Sequence, residues 1–265
     1  MGDVDTFRFV NYFQDHHLVR ITICRPEVMN ALHAEAHQEL NAAWNRFEAD
    51  QSAWVAILTG TGDRAFCAGA DLKHVTDRSP RLYWVTPKPG GFGGLTERFP
   101  ISKPVIAAVN GYALGGGFEL ALSCDIIVAA ERARFGLPEP RVGMMAADGG
   151  VHRLMRQLPH KIAMGLILTG GQLTATEAHA WGLVNEVVAN DQLVAAAERW
   201  ASQVLECAPL SVRASKEAAL CGLDLPLPDA INRRYDGMLR WMAAEDTLEG
   251  PRAFVEKRKP VWMGR

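Results

Sequence analysis

The sequence predicts an α/β fold in which a parallel sheet is followed by a helical C-terminal region. Three short apolar runs, 54–59, 104–109 and 125–130, are bounded by glycine, asparagine or charged residues, which is typical of strands covered on both faces. From Leu193 onward, apolar residues recur at helical spacing instead. These observations place parallel strands joined by helices first and a helical tail last.

Length and composition fit one soluble globular unit. The 265 residues are 48% hydrophobic and carry a formal net charge of −2, which excludes a broad electrostatic footprint for nucleic acid or an anionic membrane. We divide the chain into a core at residues 1–190 and a helical C-terminal region at 191–265. Five widely spaced cysteines indicate reduced thiols, and the start of the chain is acidic without an apolar run, so we expect a cytoplasmic protein.

The first elements read as a strand pair leading into a helix. Residues 7–13 and 18–24 alternate as strands around a polar turn, and a helix is expected at about 32–48. Residues 80–94 hold three prolines and four glycines together with Tyr83, Trp84 and Phe92, which predicts a loop bordering a pocket.

The most informative motif is the glycine-rich stretch 110–120, because it follows a predicted buried strand and opens a helical pattern. Unpaired N–H groups at a helix start, aided by the helix dipole, would stabilise an oxyanion placed against Gly116. Glu119 then falls in the first helical turn. The alternative is that the glycines only cap or pack the helix. Neither a dinucleotide nor a phosphate loop pattern fits these residues.

A second glycine turn lies at residues 65–73, after the strand that ends near Thr59. It offers another backbone donor at Ala70, although a plain strand-to-helix turn is the simpler interpretation when it is taken alone.

The third candidate is Glu139, which stands between Pro138 and Pro140. The two prolines are expected to hold the backbone extended and to deny it helical structure, which would place a catalytic carboxylate rigidly. A surface turn with a solvated glutamate is the alternative, and Glu119 as a partner favours the catalytic interpretation.

The histidine pair and the basic tail are given structural interpretations. His33 and His37 lie four residues apart, but His-Ala-Glu-Ala-His is not a zinc motif and no third ligand is evident, so we expect no metal. The basic residues near Lys257 are typical of a solvated helix end.

Three segments together resemble the crotonase, or enoyl-CoA hydratase, superfamily in their order and spacing. They are A-F-C-A-G-A-D-L-K at 65–73, K-P-V-I-A-A-V-N-G-Y-A-L-G-G-G-F-E-L-A at 103–121 and F-G-L-P-E at 135–139. The likeness covers nearly the whole chain. Residues 89–97 and the tail ending P-V-W-M-G-R are most similar to the carnitinyl-CoA dehydratase branch.

The resemblance implies a crotonase-like spiral of repeated ββα units with a helical C-terminal trimerisation region, and a homotrimer or a hexamer built from two trimers. It assigns the N–H groups of Ala70 and Gly116 to an oxyanion hole for a thioester carbonyl. Coenzyme A enters as part of an acyl-CoA substrate, with no separate cofactor. The residues implied to border or bind it are Ala68, Asp71, Leu72, Lys73 and Lys257.

In this family interpretation, two backbone amides stabilise an enolate-like oxygen, so that water can add at the β-carbon. Glu119 deprotonates the water and Glu139 protonates the α-carbon, and both roles reverse in dehydration. Family isomerases generally lack the first carboxylate, so the pair predicts a hydratase or dehydratase. A double-bond isomerase and a catalytically silent acyl-CoA-binding protein remain the alternatives.

One departure from the family pattern adds a carboxylate, Asp148. Residues 146–147 are Ala-Ala where hydratases usually have Pro-Gly, and Asp148 follows them near the expected site. We interpret Asp148 as a capping residue for a helix starting near Gly149. If the acyl group is carnitinyl, Tyr83, Trp84 or Phe92 are the candidates for cation–π contact with its ammonium.

Overall fold

The fold was analysed in a computed structural model that describes residues 7–73, 86–99 and 101–265. The strands are β1 (Val10–Asp15), β2 (Leu18–Ile23), β3 (Val55–Gly60), β4 (Ala65–Cys67), β5 (Val105–Val109), β6 (Tyr112–Leu114), β7 (Ile126–Ala130), β8 (Arg134–Gly136), β9 (Gln172–Thr174) and β10 (Glu186–Val188). The strands predicted at 7–13, 18–24, 54–59, 104–109 and 125–130 are thus confirmed, with small shifts at their ends.

The strands form two sheets. The larger has the order β1-β2-β3-β5-β7-β10, in which only β1 and β2 pair antiparallel. The smaller has the order β4-β6-β8-β9, and its last pair is antiparallel. Successive strand pairs β3–β4, β5–β6 and β7–β8 each place one strand in each sheet, which is the repeated unit that the resemblance implied.

The helices are α1 (Ala34–Ala49), α2 (Gly116–Leu122), α3 (Gly150–Gln157), α4 (His160–Thr169), α5 (Ala175–Ala180), α6 (Leu193–Leu205), α7 (Pro209–Gly222), α8 (Leu227–Asn232), α9 (Asp236–Met242) and α10 (Asp246–Val255). Short 3₁₀ helices lie at Pro26–Val28, Phe92–Gly94, Glu139–Val142 and Asn190–Gln192. Within the described ranges, no helix is long and apolar enough to cross a bilayer.

The larger sheet is buried on both faces. Alternate residues of β5 divide between two apolar clusters: Val105, Ala107 and Val109 join the one that contains α1, and Ile106 and Ala108 join the one that contains α6. This burial explains why β5 reads as a continuous apolar run in the sequence. Since α6 packs on the sheet, the first helix beyond residue 190 shares the core, and the proposed division of the chain there stays a prediction.

Candidate active site

Two glycine turns meet at one edge of the smaller sheet. Because β4 and β6 are parallel neighbours, the turns that follow them leave the sheet at the same edge. Gly69 has φ +94°, and a Cβ there would lie 2.9 Å from Leu114 O and 3.2 Å from Gly116 N. Only glycine allows the two backbones to approach so closely.

Each turn presents an N–H group with no acceptor among the described residues. Gly116 is the first residue of α2, where amides lack intrahelical partners. Ala70 lies between two backbone bonds to Leu32, which accepts from Asp71 N at 2.9 Å and donates to Gly69 O at 2.8 Å. Neither Ala70 N nor Gly116 N donates to a described protein atom, so both are available to a ligand.

Glu119 projects from the first turn of α2 and is 2% exposed. Its Oε1 accepts a hydrogen bond from Gly150 N at 2.7 Å, which fixes the carboxyl against the start of α3. Burial, followed by repulsion from Asp148 and Glu139, raises the pKa of Glu119 to about 8, although the Gly150 bond and Arg153 act in the opposite direction. Glu119 is therefore mostly protonated at neutral pH.

Glu139 faces the same space from the other side and is 9% exposed. Its Oε1 lies 2.8 Å from the position that a Cβ on Gly115 would take, and its buried Oε2 has no hydrogen-bond partner among the described residues. Burial, and then the charge of Asp148, raise the pKa of Glu139 as well. An unpartnered carboxyl oxygen here is available to substrate.

The expectation that the flanking prolines keep Glu139 out of helical structure is wrong. A 3₁₀ helix runs over Glu139–Val142, with Pro138 at its N-cap position. Proline is tolerated in the first turn because the N–H it lacks would have no partner there.

A cleft of about 500 Å³, including its open mouth, joins these groups. Both glycine turns and both glutamates line this cleft, together with several apolar side chains. The complete lining is Ala68, Gly69, Ala70, Leu72, Phe92, Gly115, Gly116, Glu119, Pro138, Glu139, Val142, Met144, Met145 and Asp148. The structure thus brings together the four residues assigned to catalysis and the oxyanion hole.

Only some of the residues predicted to contact coenzyme A lie at the cleft. Ala68 and Leu72 line the cleft, and Lys73 is exposed directly beyond them. The Asp71 side chain, in contrast, is buried and pairs with Arg25 Nη2 at 3.0 Å, and its contact with coenzyme A stays a prediction. Lys257 is exposed after α10 and does not line the cleft of its own chain.

Asp148 does not cap α3, contrary to the prediction. Gly149 is the N-cap residue and no side chain bonds to the helix start. The Asp148 carboxylate instead lines the cleft, where its Oδ1 lies 3.8 Å from Lys88 Nζ. Burial first, and then Glu97, raise the pKa of Asp148, against a lowering effect of Lys88.

Phe92 cannot offer its face to a cation. It is 2% exposed, and its ring lies beneath Gly116, where a Cβ would come within 2.5 Å of the ring. The other two aromatic candidates, Tyr83 and Trp84, fall outside the described residues. His37, set aside in the sequence as a poor zinc ligand, supports Phe92, because its Nδ1 accepts from Gly93 N at 2.9 Å and its ring meets Phe92 edge to face.

Sequence reasoning missed Lys88 and Arg153. Arg153 acts on Glu119 through its charge and donates to Thr96 O at 2.6 Å, which ties α3 to the segment 86–99. Lys88 comes from that same segment. No motif marks either residue, because both reach the site through tertiary packing.

Two free amide donors opposite two buried carboxyl groups define a site for a carbonyl compound that exchanges protons. The family model for enoyl-CoA hydratase/isomerase matches residues 14–265. A carnitinyl-CoA dehydratase from Salmonella typhi is 44% identical over 253 residues, which cover 94% of this chain and 95% of the relative. The chain therefore belongs to the enoyl-CoA hydratase/isomerase family.

Solved structures agree with this assignment. An enoyl-CoA hydratase from Mycobacterium marinum superposes with a TM-score of 0.90 at 39% identity, covering 97% of this chain and 99% of that one. An enoyl-CoA hydratase from Bacillus anthracis gives a TM-score of 0.91 at 33% identity, with 97% and 100% covered. The crotonase fold predicted from the motifs is confirmed.

Proposed function

We propose that this protein adds water to a 2-enoyl-CoA, or removes it from a 3-hydroxyacyl-CoA, with Glu119 and Glu139 as the proton-transferring residues. The observation that carries the proposal is the cleft in which two buried carboxyl groups with raised pKa values face the amides of Ala70 and Gly116. The reactants are the thioester and, in hydration, water, and the reaction needs no separate cofactor.

In hydration, Glu119 takes a proton from water while the water oxygen bonds to the β-carbon. The π electrons move toward the thioester oxygen, where the amides of Ala70 and Gly116 stabilise the developing charge. Glu139 then delivers a proton to the α-carbon. Dehydration reverses each step: Glu139 removes the α-proton and Glu119 protonates the departing hydroxyl.

The raised pKa of Glu119 suits the dehydration direction. The pKa of about 8 leaves Glu119 with a proton to give to a leaving hydroxyl at neutral pH. Glu139, when ionised, has the unpartnered oxygen that would accept the α-proton. The name of the Salmonella typhi relative supports carnitinyl-CoA, with crotonobetainyl-CoA as its product, as the substrate pair.

The coenzyme A portion is proposed to lie along Ala68, Leu72 and Lys73, at the end of the cleft that the first glycine turn forms. Lys257 would reach its phosphates from a neighbouring subunit of a trimer or hexamer, because it does not line the cleft of its own chain.

The experiment is turnover in ¹⁸O-labelled water with crotonyl-CoA and crotonobetainyl-CoA, comparing the wild type with Glu119→Gln and Glu139→Gln. Hydration predicts label at the β-carbon and near-complete loss of turnover in each variant, while circular dichroism stays unchanged. Double-bond migration without label would identify an isomerase. Binding of the esters without any turnover would identify a silent acyl-CoA-binding protein, and full activity in either variant would contradict the assigned roles.

A further inference from the structure

Asp148 is a carboxylate in the cleft whose expected structural role is absent. It caps no helix, and its side chain is only 13% exposed. Lys88, at 3.8 Å, and Glu97 act on it through their charges and are not among the described residues that line the cleft, whereas Glu119 and Glu139, which Asp148 repels, do line it. Asp148 therefore presents a negative charge to whatever fills this part of the cleft.

The position of Asp148 relative to a substrate follows from the groups that hold the thioester. A carbonyl oxygen bound at Ala70 and Gly116 puts the α- and β-carbons between Glu119 and Glu139. The Gly150 N–H that binds Glu119 is two residues from Asp148, which ties the Asp148 turn to the reacting carbons. We infer that the next atoms of the acyl group meet the lining residues that follow Glu139 in the chain, Val142, Met144, Met145 and Asp148.

The charge of Asp148 decides which acyl group binds at this end of the cleft. Glu119, Glu139 and Asp148 all line the cleft, and the nine-tenths-buried Glu139 has an unpartnered oxygen there. Among the described residues, the nearby cations do not line the cleft: Lys88 pairs with Asp148 and Arg153 donates to Thr96 O. A hydrocarbon chain would desolvate the Asp148 carboxylate further without any compensating interaction. A cation would instead offset this desolvation through its attraction to the carboxylate.

We propose that Asp148 binds a fixed positive charge on the γ-carbon of the acyl group, so that the preferred substrates are CoA thioesters carrying a γ-ammonium group. Met144 and Met145 are flexible and polarisable, and they pack around its N-methyl groups. This inference rests on the proposed hydratase or dehydratase function and assigns its selectivity to one side chain.

The test compares two esters of the same shape and different charge. Crotonobetainyl-CoA carries a trimethylammonium group, and its carbon isostere carries a tert-butyl group in the same place. We expect the ratio of kcat/KM for the charged ester to that for the neutral one to fall at least about 30-fold in Asp148→Asn, the range for removing one partner of a desolvated charge pair.

Two further variants make the test specific. Glu97→Gln removes a carboxylate that acts on Asp148 from outside the cleft, so the ratio should change less than about 3-fold. Lys88→Met removes the cation that competes for Asp148, so the ratio should rise. Equal turnover of both esters by the wild type, or equal losses on both in Asp148→Asn, would overturn the proposal. Failure of the wild type to hydrate any ester would instead overturn the proposed function.

Discussion

In the proposed mechanism, Glu119 and Glu139 act as a pair that shares one proton. Hydration begins with the proton on Glu139 and dehydration begins with it on Glu119, so both directions use the singly protonated pair. The pKa of about 8 for Glu119 marks the loss of that proton, and its main cause is burial. The raised pKa results from the packing of α2 against α3. The sequence motif does not indicate it, because there Glu119 resembles any carboxylate in the first turn of a helix.

The pH dependence of kcat/KM should consequently be bell-shaped in both directions with the same two limits. We expect the alkaline limb near pH 8, at the pKa of Glu119. Asp148→Asn removes a negative charge that raises the pKa values of both glutamates, so this limb should move to lower pH. Initial rates with crotonyl-CoA and its hydrated product provide the measurement. Limbs that differ between the two directions would contradict a shared proton.

The same shift predicts how stability depends on pH. The pKa of Glu119 rises from 4.5 in the unfolded chain to about 8 in the fold, so its contribution to stability is fully present below 4.5 and is lost as pH rises through 8. Glu119→Gln keeps an acceptor for Gly150 N and does not ionise. At about pH 5 we expect similar unfolding free energies for the wild type and Glu119→Gln. At about pH 9 the unfolding free energy of the wild type should be lower by a few kcal/mol, since each pKa unit corresponds to roughly 1.4 kcal/mol. Urea titrations at both pH values, with Glu131→Gln as an exposed control, would measure this difference. Equal alkaline stabilities would contradict the raised pKa.

At the scale of elements, α1 supports the glycine turn at Gly116 through the segment 92–98. One face of α1 holds this segment: His37 accepts from Gly93 N, Trp44 Nε1 donates to Gly93 O at 3.0 Å, and Asn41 Oδ1 accepts from Arg98 at 2.6 Å. The segment in turn holds the Phe92 ring under Gly116. The helix itself was predicted from its apolar spacing, but this supporting role requires contacts between residues far apart in sequence.

We therefore predict that His37→Leu weakens catalysis through Phe92. The substitution leaves Gly93 N–H buried without an acceptor, which costs about 1 to 3 kcal/mol of stability, and it frees Phe92 to move away from Gly116. His37→Asn offers an oxygen close to the position of Nδ1 and should restore most of both losses. Unfolding free energies and kcat for crotonyl-CoA hydration would be measured together. If His37→Leu lowers stability but leaves kcat unchanged, His37 is not coupled to the glycine turn at Gly116 and the prediction is wrong.

At the scale of the whole molecule, sequence patterns predicted what depends on local chemistry. Buried parallel strands such as β3 and β5 require continuous apolar runs, and the two oxyanion turns require glycine, so both were readable. The sequence did not reveal contacts between residues that are distant along the chain: Asp71 pairs with Arg25, Asp148 lies 3.8 Å from Lys88, and Phe92 lies under Gly116. The spacing of residues along the chain does not specify such pairs.

The surface of the C-terminal helices is where oligomer formation, implied by the resemblance, can be tested. Many large apolar side chains exposed in the described part of the chain lie there, including Leu220, Leu223, Leu227, Ile231, Leu239, Met242, Leu248, Phe254 and Val255. Exposed apolar surface of this extent usually marks a contact between proteins.

We expect the protein to sediment as a trimer or hexamer and Phe254→Glu, at a side chain that is 85% exposed, to shift it toward monomers. A charge buried in an apolar contact without a partner opposes association. Val194→Glu, on the exposed side of α6, is the matched control and should leave assembly intact.

If Lys257 binds the coenzyme A of a neighbouring subunit, the monomeric variant should also show a raised KM at nearly unchanged kcat, because the proposed catalytic glutamates and oxyanion amides all belong to a single chain. Analytical ultracentrifugation with steady-state kinetics separates the outcomes, and a monomer with wild-type KM would remove Lys257 from the site.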